Sequence, residues 1–197
     1  MGQLSVQIGG KFSITDVGIF TLKQALVEAG VTVAHPRGDA VIASAGGMAL
    51  SIDLNKHKMT LFELEIDYFR SIGCCAVHIV HNKVNEQIGY IGESAAVEIG
   101  YAVLAGRPVC VLYPPVYAPS VPIDIAELLR RKRERLIIDR IDTLRGDNLR
   151  NRISELAATE PKYSLIEDER RTICCASSRL LKKYRRGVDS ENPTMPR

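Results

Sequence analysis

Several features are missing from this chain of 197 residues, and each omission narrows what it can do. No run approaches the roughly 18 consecutive apolar residues of a membrane-spanning helix, so no helical span is expected. The opening Met1 to Ile8 lacks a basic region followed by an apolar core. It reads as the lead-in to a strand rather than as a secretory signal, and Gly2 is read the same way rather than as a myristoylation site. Five cysteines are present, but no Cys-x-x-Cys spacing and no Cys/His cluster, so no zinc site is expected. Cys74, Cys75 and Cys110 lie in apolar runs, where thiols act as small hydrophobes, and a reducing, cytoplasmic setting is the simplest reading. His35, His57, His78 and His81 have no ligand spacing, and His78 reads as a satisfied core residue. The phosphate loop ending in Gly-Lys-Ser/Thr is absent, and so is the dinucleotide fingerprint Gly-x-Gly-x-x-Gly. No internal repeat is seen.

What remains is a globular composition, 46% hydrophobic and 25% charged. The net charge of +3 is unevenly spread. Residues 1–118 carry 8 Lys/Arg against 10 Asp/Glu, a net of −2, and residues 119–197 carry 18 against 13, a net of +5. Along the first part, strand and helix signals alternate. Strands are expected at Ser5–Ile8, Val31–Ala34, Cys75–Val80 and Pro108–Tyr113. Helices are expected at Asp16–Ala29, Thr60–Ser71 and Ser94–Ala105. The second helix carries Leu61, Leu64, Tyr68 and Ile72 at helical spacing. Residues 36–59 have no clear period and read as a long loop. Alternation of this kind predicts an α/β domain with a Rossmann-like parallel sheet flanked by helices. It is expected to span residues 1–118. A basic, C-terminal helical extension follows over 119–186, with helices at Ile123–Leu144, Asn148–Ala158 and Ile166–Tyr184. Residues 187–197 read as a disordered tail.

In an open parallel sheet, ligands bind beyond the carboxyl ends of the strands. Three segments converge there: Gly9-Gly10-Lys11-Phe12-Ser13, the long loop after the second strand, and His81 to Glu98. Gly9-Gly10 would let the backbone approach a sugar or phosphate, though the pair reads equally as a tight turn. Glu98 is the lone charge inside the apolar helix Ala95-Ala-Val-Glu-Ile-Gly-Tyr-Ala102. With Ser94 as N-cap it falls near the end of the first turn, where the helix dipole favours a negative charge. Burial would raise its pKa, and the dipole and amide donors would lower it. A carboxylate kept ionised in a dry site suits a nucleophile, as in retaining glycoside chemistry. A glutamate that only matches the dipole is an equal reading on the residues alone. Asp67, on the preceding helix, is a second candidate carboxylate; the alternative is a solvent-facing helix residue.

The run Gly89-Tyr-Ile-Gly-Glu-Ser-Ala-Ala-Val-Glu-Ile-Gly-Tyr-Ala102, followed by Gly106-Arg-Pro-Val109, resembles the nucleoside 2-deoxyribosyltransferase superfamily, which includes 2′-deoxynucleoside 5′-phosphate N-hydrolases. The resemblance covers roughly residues 5–115 and implies N-glycosidic bond cleavage or transfer on a nucleoside or nucleotide. It assigns Glu98 as nucleophile and Asp67 as the acidic residue near sugar and base. It places Gly9, Gly10, Lys11, Phe12, Asn82, Gly92 and Ser94 at the substrate. It implies no metal or organic cofactor, and a homo-oligomer, dimer or larger. Two features depart from the pattern. Lys11 stands where a small residue or proline is usual, and the loop before the Glu98 helix is longer. Two alternatives stay open: a nucleotide-binding sensor of the same fold without turnover, and a nucleic-acid-associated protein using Arg130-Arg-Lys-Arg-Glu-Arg135. Interspersed acids in that extension also read as the solvated face of amphipathic helices.

Overall fold

The computed structural model describes residues 4–10, 18–45, 48–133, 136–159 and 165–190. Its centre is a five-stranded, all-parallel sheet of β1 (Ser5–Gly10), β2 (Thr32–Val33), β5 (Val77–His81), β9 (Val109–Val111) and β11 (Leu136–Ile138). The spatial order is β11-β9-β5-β1-β2. From β1 the chain first steps one way, to β2, and then crosses back to β5 on the other side. The topological switch point of this doubly wound sheet therefore lies between β1 and β5, where Gly9 pairs with Val80 and Gly10 with His81. This is the α/β parallel-sheet fold expected from the alternating pattern.

Successive strand residues point to opposite faces, and the two faces carry different chemistry. Val6, Ile8, Val77, Ile79, Cys110 and Leu112 pack in a fully apolar core with helices α1 (Gly18–Glu28) and α5 (Gly146–Ala157). Val80, Val109 and Val111 face the other way. There they pack against α2 (Leu61–Cys74), α3 (Glu93–Leu104), α4 (Ile123–Arg131) and α6 (Glu167–Ser190). Gln7, Gly9 and His78 share that second face, so the sheet presents polar groups there beneath α2 and α3.

Local signals set the helix starts. Thr60 and Glu63 form a capping box on α2: Thr60 Oγ1 accepts from the Glu63 amide at 3.2 Å, and Glu63 Oε2 accepts from the Thr60 amide at 2.8 Å. The α3 helix starts at Glu93 with Gly92 as N-cap, and no side chain caps it. Ser94, expected as that cap, is inside the helix instead. Ahead of α3, the expected loop is ordered as a hairpin of β6 (Lys83–Val84) and β7 (Gln87–Ile88) and a short strand β8 (Tyr90–Ile91). The last pairs in parallel with β10 (Val116–Tyr117), strapping the entry of α3 to the segment after β9. The long loop over 36–59 likewise contains an antiparallel pair, β3 (Ala43–Ala45) and β4 (Met48–Leu50).

The stretch expected as one helix over Ile123–Leu144 is three elements: α4, the edge strand β11 and a 3₁₀ turn at Ile141–Thr143. β11 pairs with β9, so residues beyond 119 complete the sheet. They also complete both helical layers. Ile125, Leu129, Ile173 and Leu180 share a core with Phe69, Val97 and Ala102, and Leu149 and Ile153 share one with Leu22 and Leu26. The α6 helix runs to Ser190, past the expected start of the tail at 187, and residues 191–197 lie outside the described residues. No helix among the described residues is long and apolar enough to cross a membrane.

Candidate active site

The buried face of α3 delivers Glu98 to the end of β1. Its residues Ala95, Ala96, Val97, Ile99 and Ala102 are buried, and Glu98, in the second turn, is only 7% exposed. Its Oε2 points at Gly9. A β-carbon built on Gly9 would stand 2.7 Å from that oxygen, 2.9 Å from the Tyr68 hydroxyl and 3.0 Å from Cε1 of His78. The absence of a side chain at Gly9 is therefore what admits the carboxylate, the phenol and the imidazole to one place. Gly10 is required for a different reason. It has φ of +136°, and a side chain there would collide with the backbone oxygen of His81.

Tyr68 reaches in from α2. Its hydroxyl donates toward Glu98 Oε2 at 3.2 Å, and the carbonyl oxygen of Ile8 lies 3.3 Å away as a second acceptor. No other hydrogen-bond partner of the Glu98 carboxyl is seen among the described residues. Burial dominates its titration and pushes it up to about 8, the negative charge of Glu65 adds to this, and the Tyr68 hydrogen bond opposes it. Of the two opposing influences on Glu98, burial outweighs the helix dipole. Glu98 sits one turn too deep for the amide donors at the start of α3 to outweigh burial. Burial first, then Glu98, pushes the Tyr68 hydroxyl well above its ordinary range.

Glu65 is a residue that the sequence pattern did not mark. It is 3% exposed on the buried stripe of α2, and its Oε1 has no hydrogen-bond partner. Burial pushes it up to about 7. His78, expected as a satisfied core residue, is fully buried with neither ring nitrogen hydrogen-bonded. Burial pushes it down to about 3, so the ring is neutral. Gln7 lies beside it in the β1–β5 register. Its Nε2 donates to the Tyr68 carbonyl at 3.3 Å, and its Oε1 has no partner.

Asp67 stands apart from this group. Its Oδ2 is 3.1 Å from His35 Nε2 and is ion-paired with the guanidinium of Arg37. Its side chain is 29% exposed. Asp67 reaches Glu98 only indirectly, through His35, whose ring packs edge-on against Tyr68 with centroids 5.3 Å apart. Asn82 is fully buried and spent on structure: its Nδ2 donates to the Tyr113 carbonyl at 2.8 Å, and its Oδ1 accepts from the Tyr113 amide at 3.0 Å. The pair ties the end of β5 to the end of β9. Gly92 serves as N-cap, its carbonyl accepting from the Ala96 amide at 3.0 Å. Ser94 Oγ is 3.1 Å from the Tyr184 hydroxyl of α6. Lys11 and Phe12 lie outside the described residues.

Several basic residues of the extension pair with its own acids, and Lys183 pairs with Glu93 of α3 at 3.1 Å. Lys132 bonds Glu169 at 2.8 Å, Arg152 bonds Asp139 at 2.6 Å, and Arg179 bonds Asp124 at 2.9 Å. Arg130 also sits over the Tyr117 ring, 5.5 Å from its centroid. Comparison with protein-family models, curated proteins and solved structures finds no match.

Proposed function

We propose that this chain cleaves or transfers the N-glycosidic bond of a nucleoside or nucleotide, with Glu98 as the nucleophile at C1′. One observation carries the reading: a buried carboxyl faces the bare backbone of Gly9 at the switch point of the sheet, with the Tyr68 hydroxyl bonded to it. The bare backbone of Gly9 is what lets the carboxyl, the phenol and the His78 ring meet at this point.

In this mechanism the ionised Glu98 adds to C1′ as the bond to the base breaks. The electron pair of that bond leaves with the base, and a glycosyl ester forms on Glu98. Water then releases the sugar, or a second base accepts it. Positive charge developing on the ring favours the Glu98 anion, which the free protein holds neutral near its value of about 8. Tyr68 stabilises the anion by donating to Oε2. Asp67, ion-paired with Arg37, orients the sugar or assists the leaving base. The likeness of Gly89–Pro108 to the deoxyribosyltransferases supports the substrate class and an oligomeric assembly. The five unbridged thiols fit a reducing, cytoplasmic setting.

The test is a chromatographic screen for free base released from a panel of nucleosides and nucleotides, run with the wild-type chain and Glu98→Gln. Base release by the wild type that is lost in the variant is the expected result. Nucleotide binding without any base release would point instead to a sensor.

A further inference from the structure

The first turn of α3 has no side-chain cap of its own. Gly92 stands at the N-cap position and offers nothing to the free amides. What holds this turn comes from the far end of the chain, where two consecutive residues of α6 take two consecutive residues of α3. Lys183 Nζ bonds Glu93 Oε2 at 3.1 Å, and the Tyr184 hydroxyl lies 3.1 Å from Ser94 Oγ.

The two contacts differ in weight. Lys183 is 59% exposed and Glu93 35%, so their bond is wet and contributes little. Tyr184 is buried, and it shares a core with Val97 and Ala102 of α3, Phe69 of α2 and Leu180 of α6. A phenol packed in this way is costly to leave unpaired, so its bond to Ser94 fixes where the start of α3 sits.

Ser94 and Glu98 are four residues apart and therefore neighbours on one face of α3. Whatever fixes Ser94 about the helix axis also fixes Glu98, and Glu98 has little tolerance for rotation. Its bond from Tyr68 is 3.2 Å, already longer than the usual O–H···O range of about 2.5–3.0 Å. On its other side Oε2 is fitted against the backbone of Gly9.

Resting on the glycosidic reading, we propose that Tyr184 is a positioning residue for that reaction: its hydroxyl, bonded to Ser94, sets the rotation of α3 that presents Glu98 to Tyr68 and Gly9. The C-terminal helix is then part of the active-site assembly rather than an appendage to it. Tyr184 touches neither the sugar nor the base and acts only through α3.

The first probe is Tyr184→Phe, which keeps the ring and removes the hydroxyl. Its kcat for base release should fall by about tenfold or more, with KM within about twofold and Tm within a few degrees. Ser94→Ala should reproduce the fall. The double variant should lose no more than the larger single loss, because both substitutions remove the same bond. Losses that multiply, or a wild-type kcat in Tyr184→Phe, would overturn the proposal. A carboxyl-carbon NMR titration of Glu98 tests the same link without substrate. The Tyr68 hydrogen bond lowers the titration of Glu98, so Tyr184→Phe and Ser94→Ala should each raise its midpoint, by about one pH unit. A midpoint unmoved in both variants would rule the proposal out. A wild-type chain that releases no base defeats the glycosidic reading alone, because the midpoint still decides whether Tyr184 holds Glu98 in place.

Discussion

Gly9 and Glu98 compete for the same space: a methyl group on Gly9 would stand 2.7 Å from Oε2 of Glu98. The atoms in its way are the far ends of side chains, so Gly9→Ala should fold and push the Glu98 carboxylate aside. A displacement on this scale is expected to lower base release by about 100-fold while leaving Tm within a few degrees. Gly10→Ala provides the contrast. Its backbone has φ of +136° and the obstacle is the backbone of His81, so it should lose stability first. Thermal melts beside activity assays separate the two outcomes.

Tyr68→Phe removes the one hydrogen bond that favours ionised Glu98. Glu98 should then titrate higher still. Base release should fall by about tenfold or more near pH 7, because a hydrogen bond to a charged group contributes about 1.5–3 kcal/mol. The deficit should narrow as pH rises and Glu98 ionises. A deficit that is constant across pH would speak against this role.

Asn82→Ala should act on stability rather than on substrate. It leaves both backbone groups of Tyr113 without their partner, at a cost of about 2 kcal/mol in urea unfolding. An increase in KM at unchanged stability would return Asn82 to the substrate.

The two buried carboxyls, Glu65 and Glu98, give a pH dependence of definite sign. Glu65 and Glu98 titrate at about 7 and about 8 in the fold, above an ordinary 4.5. Groups raised in this way contribute stability that is complete below about 4.5 and is lost as pH rises through 7 and 8. His78 works in the opposite sense. Lowered to about 3 from 6.5, it contributes stability above 6.5 that is lost as pH falls. Unfolding free energy should therefore decline between pH about 5 and about 8, by on the order of 1 kcal/mol per pH unit or more. Glu65→Gln and Glu98→Gln should each flatten that decline. A flat profile in the wild type would contradict the buried, neutral carboxyls.

Much of this arrangement was legible from the residues. Continuous apolar runs such as Val77-His-Ile-Val80 mark strands covered on both faces, and a lone glutamate in an alanine-rich helix marks Glu98. Glu65 was hidden by a phase error. A stripe through Leu61, Leu64, Tyr68 and Ile72 looks helical, yet the buried stripe is Leu61, Glu65, Phe69 and Ile72. The two share their end residues, and burial of a carboxyl runs against hydrophobic patterning, so Asp67 drew the attention instead. β11 was hidden because three strand residues, Leu136 to Ile138, follow a run of Arg and Lys without a Gly or Pro to break the helical pattern. Ser94 looks like an N-cap, but the partner that claims its hydroxyl, Tyr184, lies 90 residues away. Contacts at that separation leave no local trace.

The central claim is that Glu98 forms a bond to the sugar. The most direct measurement is mass spectrometry of the acid-quenched protein after incubation with a 2-fluoro-substituted nucleoside, whose glycosyl ester turns over slowly. The account predicts a pentosyl adduct on the peptide carrying Glu98, with free base released in equal amount and no adduct in Glu98→Gln. Base release with no adduct, or an adduct that persists in Glu98→Gln, would contradict it.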